Sequence, residues 1–278
     1  ASVAVIGLVV PDIENPFFST LAKSVLQELR RSGISLVVAD TNEDALDEAE
    51  IIAAMLPRVE GLIVASSRLS DDEIRTAVAG KPAVLLNREL PGMTSIVIDY
   101  SIGGRQAVEH LAALGHVRIA YAEGPPASWS NAQRRESLEA AAADLGLESQ
   151  IFGPYAPKFD GGVQAADIAV AHGITAIIAY NDLMAFGIMS RLASRGIRVP
   201  EQMSVIGFDD VSEASIWSPA LSTVNVSITA SGRLATLALL RRLVGNPREG
   251  SRRLSSRLVV RGSTAAIAAR PAPSPTRA

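Results

Sequence analysis

The sequence predicts an α/β protein built from parallel sheets in two similar blocks. Three observations carry this. First, six apolar, β-branched runs each stop at a small polar cluster. Val3–Val10 ends at Pro11–Phe18, Leu62–Ala65 at Ser66-Ser67 and Ala83–Leu86 at Asn87-Arg88. Ile119–Ala122 ends at Glu123-Gly124-Pro125, Ile174–Tyr180 at Asn181-Asp182, and Val205–Phe208 at Asp209-Asp210. Strands buried on both faces read as continuous runs of this kind. Second, helical patterns alternate with the runs, which implies parallel sheets with right-handed crossovers. Third, the alternation restarts near residue 100. In open parallel sheets the ligand crevice lies beyond the carboxyl ends of the strands, so these clusters should face one side of the molecule.

The elements follow in order. After the first strand, Pro16–Arg31 reads as a helix: Pro16 suits the first turn, Leu21, Val25, Leu26 and Leu29 form an apolar stripe, and Gly33 is a C-terminal stop. Leu36–Ala39 is a strand, and Asp44–Leu56 a helix whose acidic start suits the positive end of its dipole. Strand 61–65, helix 71–79, strand 83–87 and strand Ser95–Asp99 complete the first block. The second opens with helix 101–114 before Gly115, strand 117–122 and helix 131–145 before Gly146. Helix 161–171, strand 174–180, helix 182–194 and strand 203–208 follow. A short strand at Ala220–Val224, a long helix at Ile228–Val244 and a strand at Ser256–Arg261 close the pattern, which leaves the number of crossovers between blocks open. The tail 265–278, with Arg270-Pro271-Ala272-Pro273-Ser274-Pro275, has little to bury and is expected to be disordered.

Composition narrows the function. The chain has 278 residues, 48% hydrophobic and 20% charged, enough for two ordinary domains. A net charge of −3 argues against a nucleic-acid-binding surface within this segment. With no cysteine, disulfides and thiolate chemistry are excluded. No signal peptide opens the chain and no apolar run reaches membrane-spanning length, so a cytoplasmic location and no membrane partner are expected. The first strand begins almost at Ala1, which suggests that a leading domain has been removed.

Once these motifs are placed, the chain resembles the effector-binding core of lactose/galactose-repressor-type (LacI/GalR) transcription regulators, over about residues 3–264. The carriers are Ile6-Gly7-Leu8-Val9-Val10-Pro11-Asp12 with Asn15-Pro16-Phe17-Phe18, Val108-Glu109-His110-Leu111 with Leu114-Gly115-His116, and Asn181-Asp182-Leu183-Met184-Ala185 with Gly187. Val205-Ile206-Gly207-Phe208-Asp209-Asp210, Ser218–Val224 and Leu258–Thr264 complete the set. The resemblance implies a periplasmic-binding-protein-like fold: two Rossmann-like subdomains, joined by three crossovers, with a ligand cleft between them. On that template residues 1–98 plus 225–253 form the N-terminal subdomain, and 99–224 plus 254–264 the C-terminal one. It also implies a homodimer, a sugar-like or nucleoside-like effector, and operator binding through a helix-turn-helix head that this sequence does not contain.

Asp209 is the leading ligand-binding candidate. It ends an apolar strand, and a carboxylate can accept hydrogen bonds from two neighbouring hydroxyls. The competing role is a turn or cap, which the resemblance disfavours. Asn181 offers both donors and acceptors, yet also suits a helix N-cap. Arg134, on the first turns of its helix, can fork two ligand oxygens, although Ser137 stands where the family commonly has Gly. Asn87 and Arg88 end a strand at which the family often places an acid. Asp99, near a crossover, is weighed equally as ligand contact and hinge pin. Phe17, Phe18 and Trp129 are the aromatic candidates, with core packing preferred for Phe18 and a lid or ligand contact for Trp129. Ser66, Ser128 and Ser130 are minor hydrogen-bonding candidates.

Three function classes compete. An effector-sensing regulator core fits best, with domain closure coupled to DNA binding by the head. A free-standing solute-binding protein for a transporter shares the fold, but the sequence shows no export signal. An enzyme is disfavoured: there is no GxGxxG, P-loop, GxSxG or metal-ligand spacing, and no histidine at a strand end, so neither cofactor nor metal is expected.

Overall fold

The computed structural model describes residues 4–246 and 250–267. The expected start at Ala1–Val3 and all of the tail beyond Ile267 lie outside them. The first lobe is a parallel sheet of β1 (Val5–Val10), β2 (Ser35–Asp40), β3 (Gly61–Ala65), β4 (Ala83–Leu86), β5 (Thr94–Asp99) and β11 (Ser251–Ser255), in the order β11-β5-β4-β3-β1-β2. Its helices are α1 (Pro16–Arg30), α2 (Ala45–Met55) and α3 (Asp71–Val78). The second lobe holds β6 (Arg118–Ala122), β7 (Glu148–Phe152), β8 (Ala176–Ala179), β9 (Ser204–Asp209), β10 (Ser222–Asn225) and β12 (Arg257–Val259), ordered β12-β10-β9-β8-β6-β7. Its helices are α4 (Tyr100–Ala113), α5 (Trp129–Asp144), α6 (Phe159–Ala171), α7 (Asp182–Ser194) and the short α8 (Glu213–Ile216). The long α9 (Ile228–Leu243) returns to the first lobe, packing on α1 and along β3–β5.

The chain therefore passes between sheets three times: after Asp99, after Asn225 and between Ser255 and Arg257. The last passage lies two residues beyond the expected 253/254 boundary, because Leu254 and Ser255 still pair with Ile98 and Asp99. Ser256 ties two crossovers together: its Oγ donates to the Asp99 carbonyl at 2.6 Å and accepts from the Gly103 N–H at 3.2 Å.

The central strands β1, β3, β4, β6, β8 and β9 are the apolar runs of the sequence, and their interiors are fully buried. Helix starts follow local chemistry. Asn15 accepts the Phe17 N–H at 3.0 Å with Pro16 behind it, and Ser70 and Glu73 form a reciprocal capping box.

Departures from the expected elements fall at sheet edges. β7 and β11 have no apolar run, since an edge strand covers only part of one face; β11 carries Arg252 and Arg253. β12 runs antiparallel to β10, an exception to the all-parallel expectation. Residues 265–267 of the expected disordered tail are held, with the Ala265 carbonyl 3.1 Å from His116 Nε2 and the Ile267 N–H donating to the Leu114 carbonyl at 3.1 Å.

Candidate functional site

The strand ends of the two sheets meet across one narrow cavity. The first lobe supplies Asn15, Phe17 and Phe18 after β1, Glu43 after β2, Ser66 and Arg68 after β3, and Asn87 after β4. The second supplies Ser130 and Arg134 from α5, Pro157, Tyr180 and Asn181 around β8, and Asp209 at the end of β9. The lobes are closed on one another, leaving about 20 Å³ between these side chains. Across the mouth, Lys158 Nζ of the second lobe lies 3.7 Å from Asp12 Oδ2 of the first.

Backbone strain concentrates here. Among the described residues, eight non-glycine positions have positive φ. Four of them line the cavity: Glu43 (62°), Ser66 (50°), Asn87 (51°) and Asp209 (113°). Such conformations cost energy and persist where the surrounding structure enforces them, commonly at ligand-binding positions.

Arg134 and Asp209 form the buried centre. Arg134 Nη2 is 3.1 Å from Asp209 Oδ1 and 3.2 Å from the Tyr100 hydroxyl, and Nη1 donates to the Tyr180 carbonyl. Its guanidinium carbon stands 4.8 Å from the Tyr100 ring centre, 4.8 Å from that of Tyr180 and 4.9 Å from that of Phe208. Burial pushes the Asp209 carboxyl up to about 6, against the pull of Arg134. Behind it, Asp182 is fully enclosed and its carboxyl is held well above the usual range by burial and by the Asp209 charge. Asp182 accepts the Thr223 hydroxyl at 2.6 Å and the Val211 N–H at 2.9 Å, which fixes the turn that carries Asp209. A Cβ on Gly207 would sit 2.1 Å from Asp182 Oδ1, so only glycine permits this approach. Asp210 faces away, bonded to Arg261 at 2.7 Å and to Asn225 at 2.8 Å.

Asn181 stands on the wall and also performs the competing role: Oδ1 caps α7 through the Met184 N–H at 2.9 Å, and Nδ2 donates to the Pro157 carbonyl at 2.9 Å. Asn87 Nδ2 is 3.4 Å from Ser66 Oγ. Phe17 and Phe18 meet edge to face at 4.8 Å, each serving core and wall together. Ser130 accepts the Tyr100 hydroxyl at 3.3 Å.

Four candidates lie off the wall. Arg88 turns outward to Asp71 at 2.7 Å. Asp99 caps α4 through the Ser101 N–H at 2.9 Å, and Ser101 holds its carboxyl below the usual carboxylate range. Ser128 caps α5 through the Asn131 N–H at 3.1 Å and bonds the Tyr180 hydroxyl at 2.9 Å, acting behind the wall. Trp129 is the first residue of α5, two residues before the expected helix start, and packs against the core.

Sequence reasoning missed Arg68 and Glu43, which pair through two bonds: Nε to Oε2 at 2.7 Å and Nη2 to Oε1 at 3.1 Å. No spacing signal links residues 25 apart in sequence. Asn15 and Tyr180 adjoined motifs that were noticed, so their place at strand ends could have identified them. Among the described residues, no cluster of His, Cys, Asp or Glu fits a metal ion, and no helix is long and apolar enough to cross a membrane.

Comparison with known proteins agrees with this fold. The family model described as a periplasmic binding protein-like domain matches residues 108–264. The HTH-type transcriptional regulator DegA of Bacillus subtilis is 31% identical over 278 residues, covering 94% of this chain and 81% of DegA. The lac repressor dimer bound to operator and the anti-inducer ONPF superposes with a TM-score of 0.85 at 26% identity, covering 95% of each chain. A LacI family transcriptional regulator from Enterococcus faecium with bound ribose gives 0.86 at 29% identity, covering 95% of this chain and 100% of its own.

Proposed function

The chain belongs to the LacI/GalR family of transcriptional regulators, and from that premise we propose that it is the effector-sensing and dimerisation core of a cytoplasmic regulator, and not an enzyme. A small polar effector, sugar-like or nucleoside-like, occupies the interlobe cavity. Asp209, Arg134, Asn181, Asn87, Ser66 and Ser130 supply hydrogen bonds, and Phe17 with Phe18 an apolar face. The observation that carries this reading is the convergence of four strained strand-end residues and one buried ion pair on a single cavity between two lobes.

The effector acts by preferring one lobe arrangement. Three crossovers form the hinge, and a ligand touching both walls favours the closed form. A ligand that bound both forms equally would switch nothing. Operator DNA is a partner through a DNA-reading head joined ahead of β1. The dimer face is the flank of α7 and α8, where Ile216 is 80% exposed beside a groove of about 600 Å³ lined by Met189, Ile197 and Trp217.

A thermal-shift screen of sugars, sugar derivatives and nucleosides tests the reading. At least one compound should raise the melting temperature, and Asp209→Ala should remove that rise. A stabilising compound whose calorimetric affinity is unchanged in Asp209→Ala binds elsewhere, and that result overturns the assignment of this cavity.

A further inference from the structure

Among the described residues, four buried side-chain atoms lack a hydrogen-bond partner: Glu48 Oε1, Ser95 Oγ, Arg68 Nη1 and Arg134 Nε. Only the two guanidinium nitrogens belong to the interlobe wall, and they come from opposite lobes. A guanidinium donates only, and a buried charged donor without an acceptor is costly. Native structures seldom leave one without a reason.

Arg68 is held for this task. Its backbone N–H is fixed by Glu48 Oε2 at 2.8 Å, and Glu43 grips its Nε and Nη2 edge. Nη1 therefore occupies the free edge of the fork. Glu43, the gripping residue, is itself at positive φ. The Tyr180 hydroxyl interacts with Arg68 electrostatically and as a weak hydrogen-bond partner while also bonded to Ser128 at 2.9 Å, and no well-aligned acceptor reaches Nη1. On the other wall, Arg134 spends Nη1 on Tyr180 and Nη2 on Tyr100 and Asp209, which leaves Nε.

Several of the wall's acceptors are already engaged. Both Glu43 oxygens serve Arg68, Asp209 Oδ1 serves Arg134, and Asn181 Oδ1 caps α7. Asn87 contributes an amide where a carboxylate would have added acceptors. The unmet demand of the cavity is thus for acceptor oxygens at two guanidinium nitrogens, on side chains that also pair with Glu43 and Asp209. Resting on the effector-core reading above, we propose that Arg68 and Arg134 together receive a carboxylate or phosphate group of the effector, so that the ligand is an acidic sugar derivative and not a neutral sugar. An anion shared by one guanidinium from each lobe favours closure, because opening would part it from one of them.

The test uses matched sets: D-glucose, D-glucuronate and D-glucose 6-phosphate; D-galactose and D-galacturonate; D-ribose and D-ribose 5-phosphate; and inorganic phosphate alone. Thermal shift and calorimetry are run on the purified chain. The expected result is that an acidic member binds at least tenfold tighter than its neutral parent, and that Arg68→Met removes that preference. A carboxylate that binds where a phosphate does not, or the reverse, identifies which anion the pair receives. If Arg68→Met fails to fold because Glu43 is left buried and unpaired, Arg68→Met with Glu43→Gln removes both charges and carries the same readout. A neutral sugar that binds as tightly as its acid and is lost in Asp209→Ala overturns the anion assignment but keeps the effector cavity. An acid whose binding ignores both Arg68→Met and Asp209→Ala binds outside the cavity and overturns both. Binding by no acidic member overturns the anion assignment.

Discussion

Arg134 Nη2 and Asp209 Oδ1 lie 3.1 Å apart with side chains only 4% and 5% exposed, so the two charges of the cavity centre depend on each other for compensation. Removing one partner of a buried pair strands the other and typically costs about 3–5 kcal/mol. Asp209→Ala should therefore lose stability as well as effector response, beyond the purely functional loss that an isolated ligand-binding carboxylate would predict. Arg134→Met with Asp209→Ala should cost less than the sum of the single changes by about 1 kcal/mol or more. Urea unfolding of the four proteins measures this, and strict additivity would mean that the pair does not couple.

Lys158 and Asp12 bridge the lobes at 3.7 Å, with the Lys158 side chain 43% exposed. With its cation open to solvent and its Asp12 side chain only 9% exposed, a half-buried pair of this kind contributes about 1 kcal/mol or less. Lys158→Ala should weaken effector affinity by no more than about fivefold, through loss of the closed form. The difference should shrink at high salt. Calorimetry at two ionic strengths checks it; a loss of a hundredfold would make Lys158 a direct ligand contact.

His116 is buried between Thr175 at 2.9 Å and Ser204 at 3.0 Å, and burial holds its imidazole below the ordinary 6.5. The folded state resists a proton that the unfolded chain accepts, so this contribution is complete above pH 6.5 and falls as pH drops below it. Asp209, raised to about 6, acts in the opposite direction, adding relative stability as pH falls through that value. The His116 part is therefore isolated by comparison with His116→Asn. The variant should be less stable at pH 7.5, and the gap should narrow toward pH 5.5. A gap independent of pH would mean that His116 does not titrate with folding.

Ile216 is 80% exposed beside Trp217, which stacks on Phe186 at 4.6 Å. If this flank is the dimer face, Ile216→Asp should give a monomer by light scattering at micromolar concentration while the parent chain is a dimer. A parent chain that is itself monomeric at that concentration would remove the dimer assignment.

Much of the fold was legible because it is written locally. β1, β3, β4, β6, β8 and β9 are buried on both faces, so apolar side chains dominate their interiors, and Pro16, the acidic stretch from Asp44 and Asn181 announce helix starts. The edge strands β7 and β11 were illegible because an edge imposes no such demand. Asp209, Arg134, Asn87 and Asn181 could be placed at the cavity because they sit at the ends of recognisable elements.

What the amino-acid order determined alone is which segments become strands and helices, and hence which loops gather at one end of each sheet. Only the tertiary structure decided which charged side chains remain in the cavity. Arg88 and Arg68 both follow first-lobe strands, yet Arg88 swings out to Asp71 while Arg68 is drawn inward by Glu43. Hydropathy acts through near neighbours and leaves a period in the sequence. Pairing between charges acts through space, across 17 residues in one case and 25 in the other, and leaves none.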